Sequence, residues 1–406
     1  MDRPDVIIVG GGASGLCAAI GAARCGDQVI VFEKNTRPGK KLLASGNGRC
    51  NLINRHPQPY NGDSEFASRV LGNKPVEELT SFLQELGMMI RYDREGWGYP
   101  STFQASTVLE VLLAECCRLG VEIKTSTSVS NLRKQKDEFI IKTEAGEIFK
   151  SSRVIVATGG AAQPRLGGNQ SAWPWLLEFG HKFIPAEPSL TPLITDPRSI
   201  SGLTGLKIKC SISVETEGKN VHQEIGELLF TKTGISGICV MQCSRFVVSG
   251  KSHCIIDLFP DLFKSNDQLA KELSRRQRQN PDGDPTELLR GLCVPKLAYG
   301  VCKQAGFALK GETNKDLSES QIWNLAKTAK GYSVKVLGKE GFDHAQIMSG
   351  GLVCQDFDPS TLASALSPGL HATGEILNVD GTCGGYNLMF AFISGLKAGI
   401  NGRRSG

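Results

Sequence analysis

Gly10, Gly12 and Gly15 in VIIVGGGASGL stand at the G-x-G-x-x-G spacing. In the phosphate-binding use of that spacing, the first glycine makes a tight turn, the second lets backbone approach a pyrophosphate, and the third lets a helix pack closely on a strand. Glu33 follows about twenty residues on, at the end of the next apolar run, where a carboxylate accepts hydrogen bonds from a ribose 2′-hydroxyl and repels a 2′-phosphate. The chemistry open to this set is the holding of an unphosphorylated adenosine dinucleotide, FAD or NAD, in preference to NADP. The spacing alone is weak in a chain with 47 glycines. Its setting strengthens it, since VIIV reads as a buried parallel strand and AAIGAA as a helix face small enough to lie against a sheet.

Two further segments carry chemistry. The loop Gly39 to Asn54, GKKLLASGNGRCNLIN, sets Gly39, Gly46 and Gly48 beside Lys40, Lys41 and Arg49. Flexible backbone next to cations suits a diphosphate, and the amides of Asn47 and Asn51 can address a heterocycle edge. Near the C-terminus, Gly384 and Gly385 open a helix of small residues, GGYNLMFAFISGLKAG. Free N–H groups and about half a positive charge at a helix start stabilise a negative edge. Reduced flavin develops such an edge at N1–C2=O, and a nicotinamide-only enzyme has no equivalent need. Three side chains have both a chemical and a structural reading: Cys50 as reactive thiol or packed loop cysteine, Tyr386 as proton donor or stacking ring, Lys232 as substrate-facing or solvated cation. The six histidines show neither ligand nor triad spacing, so the catalytic residues stay unassigned.

The elements that must position these residues follow from periodicity. The strand, glycine turn, helix and strand of Val6 to Lys34 form one βαβ unit, and Pro38 to Asn54 lacks strand or helix periodicity. Helices are expected near Pro75 to Leu86 and Ala105 to Leu119. VEIKTSTSVSNLRK, DEFIIKTEAGEIFK and RVIVATGG read as strands, with a hairpin turn at Glu144-Ala145-Gly146. Ile184 to Leu193, with three prolines, looks like a domain crossing. Beyond it LKIKCSISVE alternates like a strand buried on one side, NVHQEIGELLF suits its hairpin partner, and helical patterns occupy Gly237 to Val248, Asp267 to Gln279 and Ser318 to Ala329 before the strand YSVKVLG. The expected organisation is α/β: a Rossmann-type nucleotide domain in two parts, 1–190 and 344–406, interrupted by an inserted α+β substrate domain, 191–343.

Composition narrows the function classes. The 40% hydrophobic and 21% charged content of the 406 residues is that of a globular protein, and no apolar run reaches the roughly 18 residues of a membrane span. Met1 to Pro4 lead straight into the first strand, so no signal peptide and a cytoplasmic location are expected. Thirteen cysteines without a C-x-x-C pair read as reduced thiols, which argues against a metal site and against a redox dithiol. A net charge of +5 is too small to argue for nucleic acid, and the basic stretch KELSRRQRQN reads as a solvated helix face. No second G-x-G-x-x-G lies in a strand–helix setting, so a separate NAD(P)H domain is not expected. A nicotinamide that reduces this protein must dock transiently in the substrate cleft.

The segments GGGASG with Glu33, GKKLLASGNGRCNLIN, GYPSTFQASTVLEVLL, ATGG, GELLFTKTGISG and GEILNVDGTCGGYNLMFAFISGLKAG together resemble the BaiN/RdsA family of FAD-dependent oxidoreductases, relatives of aminoacetone oxidase. The likeness spans nearly the whole chain in order. It implies a glutathione-reductase-like FAD domain whose insert has a β-barrel-like and a helical part. It further implies a pyrophosphate on Gly10 to Gly15, including Ala13 and Ser14, and the adenosine ribose on Glu33 with Lys34 adjacent. Lys41, Gly48 and Asn51 would line the flavin side, with Lys40, Gly46, Arg49 and Cys50 of the same loop among the cofactor-binding residues, and Val129 would offer backbone to the adenine. Thr158, Gly159 and Gly160 would close the nucleotide site, and Gly374, Glu375, Gly385, Tyr386, Asn387 and Leu388 would flank the isoalloxazine. Lys232, where a histidine is expected, Ile238, where proline is frequent, and Asn378, in place of an aspartate, depart from the pattern and leave the substrate chemistry open. The activity implied is hydride transfer between a small organic substrate and flavin N5. An NAD(P)H-dependent enone reductase is the variant within that class, and a flavin-dependent tRNA-modifying protein or a non-catalytic redox sensor the alternative outside it.

Overall fold

The computed structural model describes residues 3–56, 58–308 and 311–400. They divide into two compact units, one of Met1–Glu187 with Gln346–Gly406 and one of Pro188–Ala345; the change of sequence texture places the boundaries at 190/191 and 343/344.

In the first unit, five parallel strands are ordered Leu370–Ala372, Arg153–Val156, Val6–Val9, Val29–Phe32, Glu122–Lys124. Val6–Val9 and Arg153–Val156 are buried at every position, as strands covered on both faces must be. The helix Ala13–Arg24 covers one face, and its small residues admit the C-terminal helix Tyr386–Ile400 at backbone contact. A Cβ on Gly395 would lie 2.2 Å from the Ser14 carbonyl oxygen, and one on Gly399 2.3 Å from that of Ala18. The hairpin of Glu138–Thr143 and Ile148–Ser151 extends by Val129–Gln135 into a three-stranded antiparallel sheet. A second such sheet joins Ile53–Asn54, Trp97–Pro100 and Ile90–Tyr92.

The inserted unit is built on a closed barrel of six strands, Leu193–Thr195, Gly234–Ser236, Lys219–Phe230, Lys207–Thr216, Ser252–Asp257 and Tyr332–Lys339. Cys210, Ile212 and Val214 alternate into its core. Helices Asn266–Gln279, Pro295–Gln304 and Glu319–Lys330 form the helical part. This is the barrel-plus-helix insert that the resemblance implied.

Several expectations need correcting. Pro38 to Asn54 is not featureless: it holds a short helix, Lys40–Ala44, a 3-10 turn, Ser45–Gly48, and a strand, Ile53–Asn54, elements too short for periodicity to register. The boundary between the units, Glu187/Pro188, falls within the expected crossing Ile184 to Leu193, but that crossing is not irregular throughout: Phe183–Ser189 is a strand paired with Ile347–Leu352. The structure adds the helices Ser64–Leu71 and Pro295–Gln304 and the strand Ser252–Asp257 to the elements that periodicity predicts. Among the described residues no helix is long and apolar enough to cross a membrane, no His, Cys, Asp and Glu group is placed to hold a metal, and no disulfide is formed.

Two buried histidines make the fold acid-sensitive. His371 is 4% exposed with Nδ1 unpartnered; burial, reinforced by Arg153, pushes its pKa down to about 4. Burial also lowers that of His181. Because the unfolded chain titrates near 6.5 and the folded His371 near 4, only the unfolded state takes up the proton in between, so stability falls as pH drops through that window. The slope is at most about 1.4 kcal/mol per pH unit per histidine. Urea unfolding of wild type and His371→Gln at pH 7 and pH 5 should show a smaller acid loss in the variant; equal losses refute the assignment.

Candidate functional site

The first helix begins at Ala13 behind the N-cap Gly12, with no side-chain cap and no acid in its first turn. Its terminal N–H groups therefore face outward uncommitted, the arrangement that binds phosphate. The three spaced glycines separate by cause. Gly10 has φ +111° and its Cβ would lie 2.4 Å from the Ala157 carbonyl oxygen, and a Cβ on Gly15 would lie 1.9 Å from that of Gly10. Gly12, by contrast, has nothing within 4 Å of a Cβ. Protein backbone requires the first and third glycines; no protein atom requires the second.

Glu33, 7% exposed, accepts the Gly11 N–H at 3.0 Å on one carboxylate oxygen and the Asn35 backbone and side-chain N–H groups at 2.8 and 2.7 Å on the other. Lys40 Nζ closes the chain on Asn35 Oδ1 at 3.1 Å. The carboxylate is thus fixed at the glycine turn, with Oε1 taking both Asn35 bonds and Oε2, which takes only the Gly11 N–H, keeping a lone pair for a further donor. Thr127 and Ser126 donate their backbone N–H groups to the Glu33 and Asn35 carbonyls, which brings the strand start at Val129 to the same end. Thr158 and Gly159 are half-buried just beyond the strand Arg153–Val156, which neighbours the central strand. Gly160 is different: its Cβ would meet the Met348 sulfur at 2.7 Å, so it serves packing. Lys34 is exposed.

A second cluster gathers the glycine-rich loop and the C-terminal turn. Lys41 Nζ meets Glu375 Oε2 at 2.6 Å across 334 positions, and Glu375 Oε1 accepts the Met348 N–H at 3.1 Å. Gly46, Asn47, Gly48 and Cys50 all adopt left-handed backbone, φ between 55° and 82°. Gly384 and Gly385 have φ +114° and +97°, and Asn54 donates to the Gly384 carbonyl at 3.0 Å. Asn51 Oδ1 is buried without a hydrogen-bond partner and lies 2.8 Å from the place of a Gly385 Cβ. A buried orphan acceptor beside two left-handed glycines fits a heterocycle whose N–H edge would complete it. A Cβ on Gly374 would lie 2.5 Å from Ser14 Oγ, which puts this cluster against the phosphate end of the first helix.

Two of the side chains with both a chemical and a structural reading, Cys50 and Tyr386, are buried and committed to the protein. Cys50 is fully buried and its thiol is pushed up to about 12 by burial, which leaves no thiolate near neutrality. Tyr386 is 3% exposed, its hydroxyl donates to the His56 carbonyl at 2.6 Å, and burial raises its pKa to about 12; the bond anchors the start of the helix. Asn387 spends its amide on the Gly381 backbone at 2.8 and 2.9 Å, so only its main chain is left for a ligand. Lys232 and Ile238 are exposed in the inserted unit. Arg49, Gly46 and Gly48 are exposed and Leu388 half-buried. Sequence reasoning missed Asn35, Met348 and Trp97, since partners with no spacing pattern are found only by folding.

A parallel sheet with a glycine turn, an uncapped helix start and an acid at the end of the second strand, joined to a second glycine-opened helix, defines a Rossmann-type dinucleotide-binding fold. The chain belongs to the HI0933-like protein Rossmann domain family, whose profile matches residues 4–401. It is an FAD-dependent oxidoreductase. It is 34% identical over 402 residues to the 3-dehydro-bile acid delta(4,6)-reductase of Clostridium scindens, covering 97% of each chain. It is 29% identical over 406 residues to the ribosomal RNA dihydrouridine synthase of Haemophilus influenzae, again covering 97% of each. The fold resembles that of a 3-ketosteroid-delta4-(5alpha)-dehydrogenase from Rhodococcus jostii RHA1, with TM-score 0.50, 18% identity and coverage of 98% and 96%.

Proposed function

We propose that the protein is a cytoplasmic NAD(P)H-dependent reductase of a carbon–carbon double bond conjugated to a carbonyl in a small organic molecule. The observation that carries this reading is the end-to-end likeness to a delta(4,6)-reductase, 97% of both chains. A dihydrouridine synthase likewise saturates a double bond conjugated to a carbonyl, so both relatives' names describe one reaction type. The balance is NAD(P)H + H⁺ + C=C giving NAD(P)⁺ + CH–CH. The absence of disulfides in the described residues supports a reducing compartment.

FAD, when bound, supplies the hydride relay at its N5. In this reading the chain's own residues hold it. The N–H groups of Gly12, Ala13 and Ser14 take the pyrophosphate, Glu33 the ribose hydroxyls and the Val129 backbone the adenine. Lys41, held by Glu375, and Asn51 Oδ1 address the flavin edge, while the Gly384–Gly385 turn aims N–H groups and the positive end of the C-terminal helix at the edge that becomes anionic on reduction.

The test is NAD(P)H oxidation by the FAD-loaded protein with and without a 3-keto-4-ene steroid and simple cyclic enones. Stimulation of at least tenfold by one of them is expected, and none by any enone refutes the reading. An RNA substrate is the second reading, favoured by the full-length likeness to ribosomal RNA dihydrouridine synthases. Against it, Arg275 and Arg276 of the basic helix both pair with Glu272, at 2.8 and 2.7 Å, which reduces the charge left for phosphates. Salt-sensitive retention of RNA in a filter assay would promote this second reading.

A further inference from the structure

The small antiparallel sheet beside the Gly384–Gly385 turn runs from the FAD site out to side chains, Arg91 and Tyr99, to which that site gives no role. Its register pairs Asn54 with Trp97 and Arg91 with Tyr99. Directly opposed residues share a face, and so do positions two apart on one strand, so these four side chains form one row. At one end of the row Asn54 bonds the Gly384 carbonyl, and Trp97 Nε1 lies 3.1 Å from the place of a Gly384 Cβ. At the other end Tyr99 packs on Phe103 with centroids 5.5 Å apart, and Phe103 is 43% exposed. Arg49 and Arg91 are exposed, and Arg49 is near enough to Tyr99 to act on its hydroxyl electrostatically.

We propose that this row is the docking platform of the pyridine dinucleotide donor, its adenine stacked on Tyr99 and Phe103, its phosphates met by Arg49 and Arg91, and its nicotinamide directed along Trp97 toward the Gly384 turn. The proposal rests on the reading of NAD(P)H as donor. Aromatic faces take any planar base, and guanidinium groups match phosphate oxygens. The acids Asp93 and Glu95 also face Tyr99, so the patch has mixed charge, which suits a ligand with two or three phosphates and opposes a polyanion. A donor without a Rossmann domain of its own needs such a surface next to the flavin turn.

The experiment compares Tyr99→Ala, Tyr99→Phe and Arg91→Glu with the wild-type holoenzyme in steady-state NAD(P)H kinetics. Flavin absorbance and the turnover of dithionite-reduced enzyme with the organic acceptor serve as controls. KM for NAD(P)H should rise about tenfold in Tyr99→Ala, as loss of one stacked base predicts, and at least fivefold in Arg91→Glu with a steeper salt dependence. Tyr99→Phe should match wild type, and flavin content and the acceptor half-reaction should not change. If Tyr99→Ala does not fold, Arg91→Glu alone decides. KM values within twofold of wild type overturn the platform while leaving the donor in place. A wild-type flavin that NAD(P)H does not reduce overturns the donor itself, and the platform with it. Lost RNA retention with unchanged KM also overturns the proposal and gives the row to a polynucleotide.

Discussion

Gly12→Val is expected to fold like the parent protein and to purify without flavin. A Cβ at Gly12 meets no protein atom within 4 Å, and the residue's φ of −84° is open to any amino acid. The substitution therefore costs the apoprotein only the difference between glycine and valine as an N-cap, about 1 kcal/mol. The branched side chain instead fills the space in front of the first-turn N–H groups, where the pyrophosphate must come to hydrogen-bond distance. FAD affinity should fall by about 100-fold or more, on the order of 3 kcal/mol. Absorbance near 450 nm (roughly the flavin band) and FAD titration of the apoprotein measure it. Gly15→Ala is the contrasting case: its Cβ would sit 1.9 Å from the Gly10 carbonyl oxygen, so it should lose stability before it loses any specific contact. A Gly12→Val protein that retains stoichiometric FAD would remove the phosphate from this helix start.

Asn378→Asp, which restores the residue the family resemblance leads one to expect, should destabilise this chain by about 3 kcal/mol at pH 7.5. Asn378 is 4% exposed and donates to Asp63 Oδ2 at 3.2 Å, an oxygen that also accepts the Cys354 N–H at 3.0 Å. Asp63 N–H returns a bond to the Asn378 carbonyl at 2.8 Å. An aspartate would exchange a charge-assisted hydrogen bond for two carboxylates at contact, which cannot both ionise cheaply. One would hold its proton in the folded state, with a pKa raised above its unfolded value. The folded protein then binds more protons than the unfolded one between those two values, and the variant regains stability as pH falls through that range. Urea unfolding at pH 7.5 and 5.5 should show the gap to wild type narrowing. A constant gap, or none, would mean that the pair is not coupled. The same bond secures the strand pair Val379–Asp380 with Asn61–Gly62, just before the Gly381 loop that Asn387 holds, so flavin retention should weaken as well.

The nucleotide fold and the position of its phosphate end were legible in the chain because each rests on local order. Buried parallel strands are uniformly apolar, glycines at fixed spacing mark a backbone approach, and an acid ends the second strand. These rules act within some thirty neighbouring residues, Val6 to Lys34. The split of the domain showed in a change of texture, from continuous apolar runs to the alternation of LKIKCSISVE, which a barrel open on one face of each strand requires. What only the tertiary structure decided is which side chains remain free to act. Cys50 and Tyr386 have reactive groups, but burial and the His56 carbonyl occupy them. Asn51 resembles many loop asparagines, yet its Oδ1 is left buried and unpartnered against Gly385, 334 positions away. Lys41 finds Glu375 across the same span. Hydrogen-bond completion and burial depend on atoms brought together from both ends of the chain, and no spacing rule within either end records them.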